Sequence, residues 1–228
     1  LADDSPAASP ASAPRTRKRP SSCRQVAKNT ETRRRLVEAA GVVVGAHGYA
    51  GASVARITER AGVAHGAFYL HFASRQAMFD VLLPEISSGM LDTISTAIRD
   101  CTTFEEIERQ GLKANFEYLS KRPEIDRVMN EAELYAPQAF KQFLGDLQAR
   151  YLRSLQRSRA RGDIRDYSDD QLRTIVALLA GARSFLLKIF ARDGAGAVSP
   201  PSDEQMATYL DVFLHGLKRP RENTLEQS

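Results

Sequence analysis

Residues 51–72, GASVARITERAGVAHGAFYLHF, constrain this chain more than any other stretch. They read as two short helices joined by a tight turn. Val54, Ile57 and Ala61 recur at helical spacing and give the first helix one apolar face. Ala61-Gly62-Val63 interrupts it, since Gly62 adopts at little cost the backbone angles that a tight interhelical turn demands. The second helix begins near Ala64, is very short, and ends in a small, aromatic and His-containing tip. This is the plan of a helix-turn-helix, whose second helix enters the DNA major groove.

The flanking sequence extends the motif into a three-helix unit. A helix is expected from about Thr30 to His47, with Leu36, Val37, Ala40, Val43 and Val44 as its apolar stripe and Gly48 as its stop. Ser53 is the expected N-cap of the next helix. An acidic residue three positions later would complete a capping box, but Arg56 stands there. Phe72 is expected in the core of this unit, whereas Phe68 is open between core and surface. Ser74 caps a long fourth helix beginning Arg75-Gln-Ala-Met-Phe79, with Leu82, Leu83, Ile86 and Leu91 following. Pro84 lies inside it, to be absorbed or to kink or divide it.

Three later helix starts carry capping-box signatures: Thr103 with Glu106, Ser168 with Gln171, and Ser202 with Gln205. They predict helices over 103–120, 168–191 and 202–218. Pro123 and Pro137 suit the first turns of two more, the second running to about 161 and stopped by Gly162. The count is nine helices without a convincing strand, an all-α fold.

Charge is unevenly spread. Residues 1–75 hold twelve Lys and Arg against five Asp and Glu, although the net charge of the whole chain is only +4. The basic part coincides with the helix-turn-helix, which favours a phosphate-attracting surface over a merely solvated tail. Residues 1–28 contain Pro6, Pro10, Pro14 and Pro20 among Ala and Ser, and read as a disordered arm. Its Arg15-Thr-Arg-Lys-Arg19 run, with Arg24 and Lys28, is as consistent with added non-specific affinity as with a DNA contact. No apolar run reaches the roughly 18 residues of a membrane span, and Leu1–Pro20 has no apolar leader core, so a cytoplasmic location is expected. Cys23 and Cys101 have no metal-ligand spacing. His47, His65, His71 and His215 form no ligand pattern, and no catalytic Ser motif or Gly-rich phosphate loop occurs. Neither an enzyme nor a bound metal or cofactor is therefore expected.

Several residues together resemble the DNA-binding domain of the TetR family of one-component bacterial regulators. They are Gly48-Tyr49, Ser53-Val54, Ile57, the Ala61-Gly62-Val63 turn, Gly66, Tyr69, His71-Phe72 and Ser74-Arg75. Thr32-Arg33 and Leu36-Val37-x-Ala39-Ala40 upstream also match. The resemblance is specific over residues 32–80; beyond, only the helical layout matches. With the arm, it implies four segments: the arm at 1–28, a DNA-binding domain at 29–76, a ligand-binding and dimerisation domain at 77–220, and a tail at 221–228.

The recognition helix would be Ala64-His65-Gly66-Ala67-Phe68-Tyr69. Ala64, Gly66 and Ala67 permit close approach to the groove, an Ala can touch a thymine methyl, and His65 is the polar candidate for a base edge. Ala64 stands where the family commonly has a hydroxyl residue. Tyr69 and His71 match positions that usually touch the sugar-phosphate backbone. Ser53 and Arg56 at one helix start, Arg75 at another, and Arg33 and Arg34 on the first helix complete the DNA-contact candidates.

The resemblance further implies a symmetric dimer on a palindromic double-stranded operator, with a small-molecule effector held in the larger domain. Interface candidates are Leu179, Ala182 and Leu186 on the penultimate helix, and Leu210, Phe213 and Leu217 on the last. Pocket candidates are the aromatics Phe104, Phe116, Tyr135, Phe140 and Phe185, with Met129 and the polar Glu133. A mainly apolar pocket points to a hydrophobic or aromatic effector. The functional expectation is a ligand-released repressor. An activator on the same fold and a non-specific architectural DNA-binding protein are the alternatives.

Overall fold

The computed structural model of the protein describes residues 23–190 and 198–216. The Arg15–Arg19 run with most of the arm, Leu217, and the 221–228 tail lie outside the described residues. Among the described residues there are nine helices and no strand. They are α1 Cys23–Gly51, α2 Val54–Ala61, α3 His65–Tyr69, α4 Arg75–Ala97, α5 Phe104–Lys121, α6 Glu124–Tyr135, α7 Pro137–Ala160, α8 Asp169–Phe190 and α9 Asp203–His215.

The helix ends follow local chemistry. Ser53 Oγ accepts the Arg56 N–H, and Ser74 Oγ accepts the Ala77 N–H. Thr103 with Glu106 and Ser202 with Gln205 form complete capping boxes. Each satisfies amide donors that a helix start leaves orphaned. Gly62 ends α2 in the left-handed region at φ 63° and ψ 41°.

α1 departs from expectation at both ends. It begins at Cys23 rather than Thr30, since residues 21–40 contain neither Gly nor Pro to stop it. At the other end Gly48 does break helical geometry, at φ 71° and ψ 168°, and a last turn follows it. A Cβ at Gly48 would stand 2.8 Å from Arg127 Nη2 and 2.9 Å from Glu131 Oε2, flexible tips that can shift, so it is the backbone angle that selects glycine there. α4 runs unbroken through Pro84. The proline removes one hydrogen bond, to the Asp80 carbonyl, without dividing the helix.

α1, α2 and α3 close on Leu36, Ala40, Ile57 and Phe68, none of which retains solvent exposure. Phe68 is thereby a core residue, as is Phe72. Burying such an aromatic contributes about 1.5–3 kcal/mol relative to leaving it in water. The core does not stop at a domain boundary. One cluster runs from Leu36 on α1 to Leu210 on α9, with Met78, Leu82 and Leu83 of α4 joining the two regions.

α6 packs on α1 more extensively than any other helix pair does. A Cβ at Gly45 would lie 2.8 Å from the Glu124 Cα, so glycine lets the two backbones approach. Arg127 of α6 donates to the Gly45 and Ala46 carbonyls near the end of α1, at 3.2 and 3.1 Å. A cation placed at these late carbonyls also complements the negative end of the helix dipole. Tyr135, expected in a ligand pocket, instead stacks on Tyr49 at 5.7 Å with planes 3° apart.

Candidate nucleic-acid interface and effector cavities

α3 divides its side chains cleanly. Phe68 is fully buried and anchors the helix, while its neighbour Tyr69 is 54% exposed. Ala64, His65 and Gly66 are exposed on the same short segment, and a Cβ at Gly66 would meet nothing within 4 Å. The His65 and Tyr69 rings lie 5.7 Å apart. Ala67 and His71 are half-buried at the edge of this face. The result is a small-residue ridge with two hydrogen-bonding rings, open to a groove.

The arginines divide less simply. Arg75 is exposed at the start of α4, its guanidinium 5.5 Å from the Phe79 ring. Arg56 is exposed and donates to the Gly51 carbonyl at 2.7 Å. Arg34 pairs with Glu31 and Glu38 along α1, with all three side chains about half exposed. Exposed pairs of this kind contribute little and can exchange for a phosphate. Arg33, another of the DNA-contact candidates, has a partner within the chain. It donates to Glu85 on α4 through both terminal nitrogens and lies 5.2 Å from the Phe72 ring. Its charge is used to join α1 to α4. Arg35, for which its position gave no signal, donates to the Ala61 and Gly62 carbonyls and so holds the turn of the motif.

Two cavities lie in the body. The first, of about 650 Å3, is walled by α4, α5, α7 and α8. The second, of about 510 Å3, lies among α4, α5, α6, α7 and α8. They share Ile94, Leu147, Tyr151 and Arg183 as walls. Of the expected pocket residues, Phe104 lines the first, and Met129, Glu133 and Phe140 line the second. Phe116 lines neither, being fully enclosed in the core. Phe185 lines neither as well; it points outward, 63% exposed.

A buried polar cluster stands at the shared wall. Glu108 of α5 is 2% exposed and accepts from Tyr151 of α7 at 2.8 Å, Tyr209 of α9 at 2.7 Å and Arg183 of α8 at 3.0 Å. Burial and the Glu108 charge push the Tyr209 hydroxyl well above the ordinary tyrosine range. Burial alone would lower the Arg183 pKa, but the Glu108 charge outweighs it, and the guanidinium stays charged. No single helix carries a sequence pattern for this cluster, so sequence reading missed it.

The expected interface residues on α8 and α9 divide between the chain's own core and its outer face. Leu179 and Leu210 are core residues, at 0% and 2% exposure. The exposed apolar set is Leu178, Phe185, Ile189 and Phe190, all above half exposed. Ala182, Leu186 and Phe213 are half-buried and, with Phe185 and Ile189, line a groove between the two helices.

Residues 34–82, from α1 into α4, match the bacterial regulatory proteins of the tetR family. The DNA-binding unit is therefore of the TetR type. The chain is similar to the HTH-type transcriptional repressor AcnR of Corynebacterium efficiens, 28% identical over 198 residues that cover 85% of this chain and 96% of that one. It is also 26% identical over 194 residues to the uncharacterized HTH-type transcriptional regulator YdgC of Bacillus subtilis, covering 83% and 94% of the two chains. The fold is similar to that of the transcriptional regulator FadR from Bacillus subtilis, solved in complex with stearoyl-CoA. That likeness has a TM-score of 0.66 and 17% identity, and covers 81% of this chain and 99% of the other. The protein is a DNA-binding transcriptional regulator. No described helix of it is long and apolar enough to cross a membrane.

Proposed function

We propose that this TetR-family chain acts as a homodimeric repressor on a palindromic operator and is released by an apolar or aromatic effector bound in the two cavities. The observation that carries the reading is the path of α4. Its first turn follows directly on the recognition segment through Ser74 and Arg75, and Met90, Leu91 and Ile94 further along it wall the cavities. A ligand that binds two positions of α4 unequally shifts the population of DNA-competent dimers. A tenfold release needs only about 1.4 kcal/mol of such coupling.

His65, Tyr69 and Arg75 are the proposed DNA contacts, together with the backbone ridge of Ala64, Gly66 and Ala67. The exposed Leu178, Phe185, Ile189 and Phe190 supply the apolar face for a second copy. One such DNA-binding unit reads few base pairs, so two related by a twofold axis are needed for specificity.

The test is a titration at fixed salt against the promoter DNA adjoining the protein's own gene, with random DNA as control. A sequence-selective complex of one dimer per palindrome is expected. Equal and steeply salt-dependent binding to both DNAs would reduce the protein to a basic-patch binder.

A further inference from the structure

The wall of the first cavity is electrostatically lopsided. Five arginines line it, at 99, 150, 153, 157 and 183, against the single carboxylate of Glu108. The Arg183 charge is answered by Glu108 in the buried cluster. Arg150 is answered by Asp92 at 2.8 Å. Arg99, Arg153 and Arg157 have no carboxylate partner among the described residues, and all three are exposed. Arg150, Arg153 and Arg157 recur along α7 at spacings of three and four, which places them on one face.

The remainder of the cavity is apolar, with Leu91, Ile98, Phe104, Ile107 and Leu155 among its walls. The second cavity continues behind the shared Ile94, Leu147 and Tyr151, and with Arg183 already paired to Glu108 its lining sets Asp126 and Glu133 against Lys188 and offers an anion no excess of cations. An uncharged apolar ligand gives three unpaired arginines nothing to bind, and a cation would be repelled. DNA phosphates do not account for them. Arg99 follows the far end of α4, which at about 1.5 Å per residue stands roughly 30 Å from Arg75 at the DNA-reading end.

We infer that the first cavity takes an anionic amphiphile, with its apolar chain running into the paired cavities and a phosphate-type head group held by Arg99, Arg153 and Arg157. The inference rests on the effector reading above and adds the chemical class of the effector. Guanidinium groups suit such a head because they donate in pairs to phosphate oxygens. The arginines are exposed, so the preference is screened by salt.

The full chain is titrated calorimetrically with four ligands of one chain length: decanol, decanoate, decyl phosphate and decanoyl-coenzyme A. Decyl phosphate is expected to bind about tenfold or more tighter than decanol at low salt, with the gap narrowing at high salt. Decanoyl-coenzyme A binding like decyl phosphate marks a head group of any phosphate source, and much tighter binding marks a nucleotide-bearing one. An Arg153→Gln, Arg157→Gln double variant, altered only at exposed positions, should lose most of the phosphate preference and keep its decanol affinity. Decanol binding as tightly as decyl phosphate overturns the inference, as does an undiminished preference in the double variant. Binding of none of the four by a protein that still selects its operator overturns it while leaving the regulator reading intact. Loss of operator selection with head-group preference retained overturns only the regulator reading.

Discussion

Glu131 on α6 accepts the backbone N–H of Tyr49 at 2.9 Å, so the residue just past the break in α1 is held by a helix that also walls the second cavity. The same carboxylate takes Arg127 Nε at 2.7 Å, and Arg127 in turn holds the late carbonyls of α1. α6 is therefore a second physical link between body and DNA-reading unit, beside α4.

This clamp has a pH signature. Burial alone would raise the Glu131 pKa, but the hydrogen bonds from Arg127 and the Tyr49 amide outweigh it and hold it below the ordinary 4.5. A carboxyl lowered in the folded state contributes stability that is complete above its unfolded value and is lost as pH falls through the folded one. Urea unfolding of wild type and Glu131→Gln should show a gap at neutral pH that narrows in acid below the ordinary value. A gap constant from neutral to acid would remove the charge from the explanation.

Neighbouring residues on α3 should behave oppositely. Tyr69→Ala removes an exposed ring and is expected to weaken operator binding by about tenfold or more with stability nearly unchanged. Phe68→Ala opens the core of the three-helix unit and should cost about 3–5 kcal/mol in chemical denaturation. Unaltered DNA affinity in the Tyr69 variant would mean that another segment reads DNA.

A similar pair separates interface from core on α8. Phe185→Glu places a charge on the exposed groove and should yield a folded monomer in sedimentation analysis. Leu179→Ala sits six residues earlier but faces inward, and should lower stability by about 2–5 kcal/mol. A Phe185→Glu protein that sediments as a dimer would move the interface elsewhere.

Glu108→Ala would leave the Arg183 charge buried without its carboxylate and two tyrosine hydroxyls without their acceptor. The expected cost is about 3–5 kcal/mol, since one half of a buried pair is worse than none. Replacing both partners together, as Glu108→Leu with Arg183→Met, should recover most of it. A single variant as stable as wild type would show that water reaches the cluster.

The sequence alone determined the elements and the motif. Helix ends at Ser53, Ser74, Thr103 and Ser202 were legible because a cap satisfies amides no more than a few residues away. The turn at Gly62 was legible because so few residue types adopt its backbone angles. What only the tertiary structure decided was the phase of each helix and the partners across the fold. Leu178 is exposed and Leu179 buried, because one step along a helix turns the side chain by about 100°. Periodicity gives the width of an apolar stripe on α8, but its neighbours choose which edge stays outside. Arg33 likewise met Glu85, Glu108 met Arg183, and Glu131 met Tyr49 at separations of 52, 75 and 82 residues, where local rules carry no information and chain packing sets the pairing.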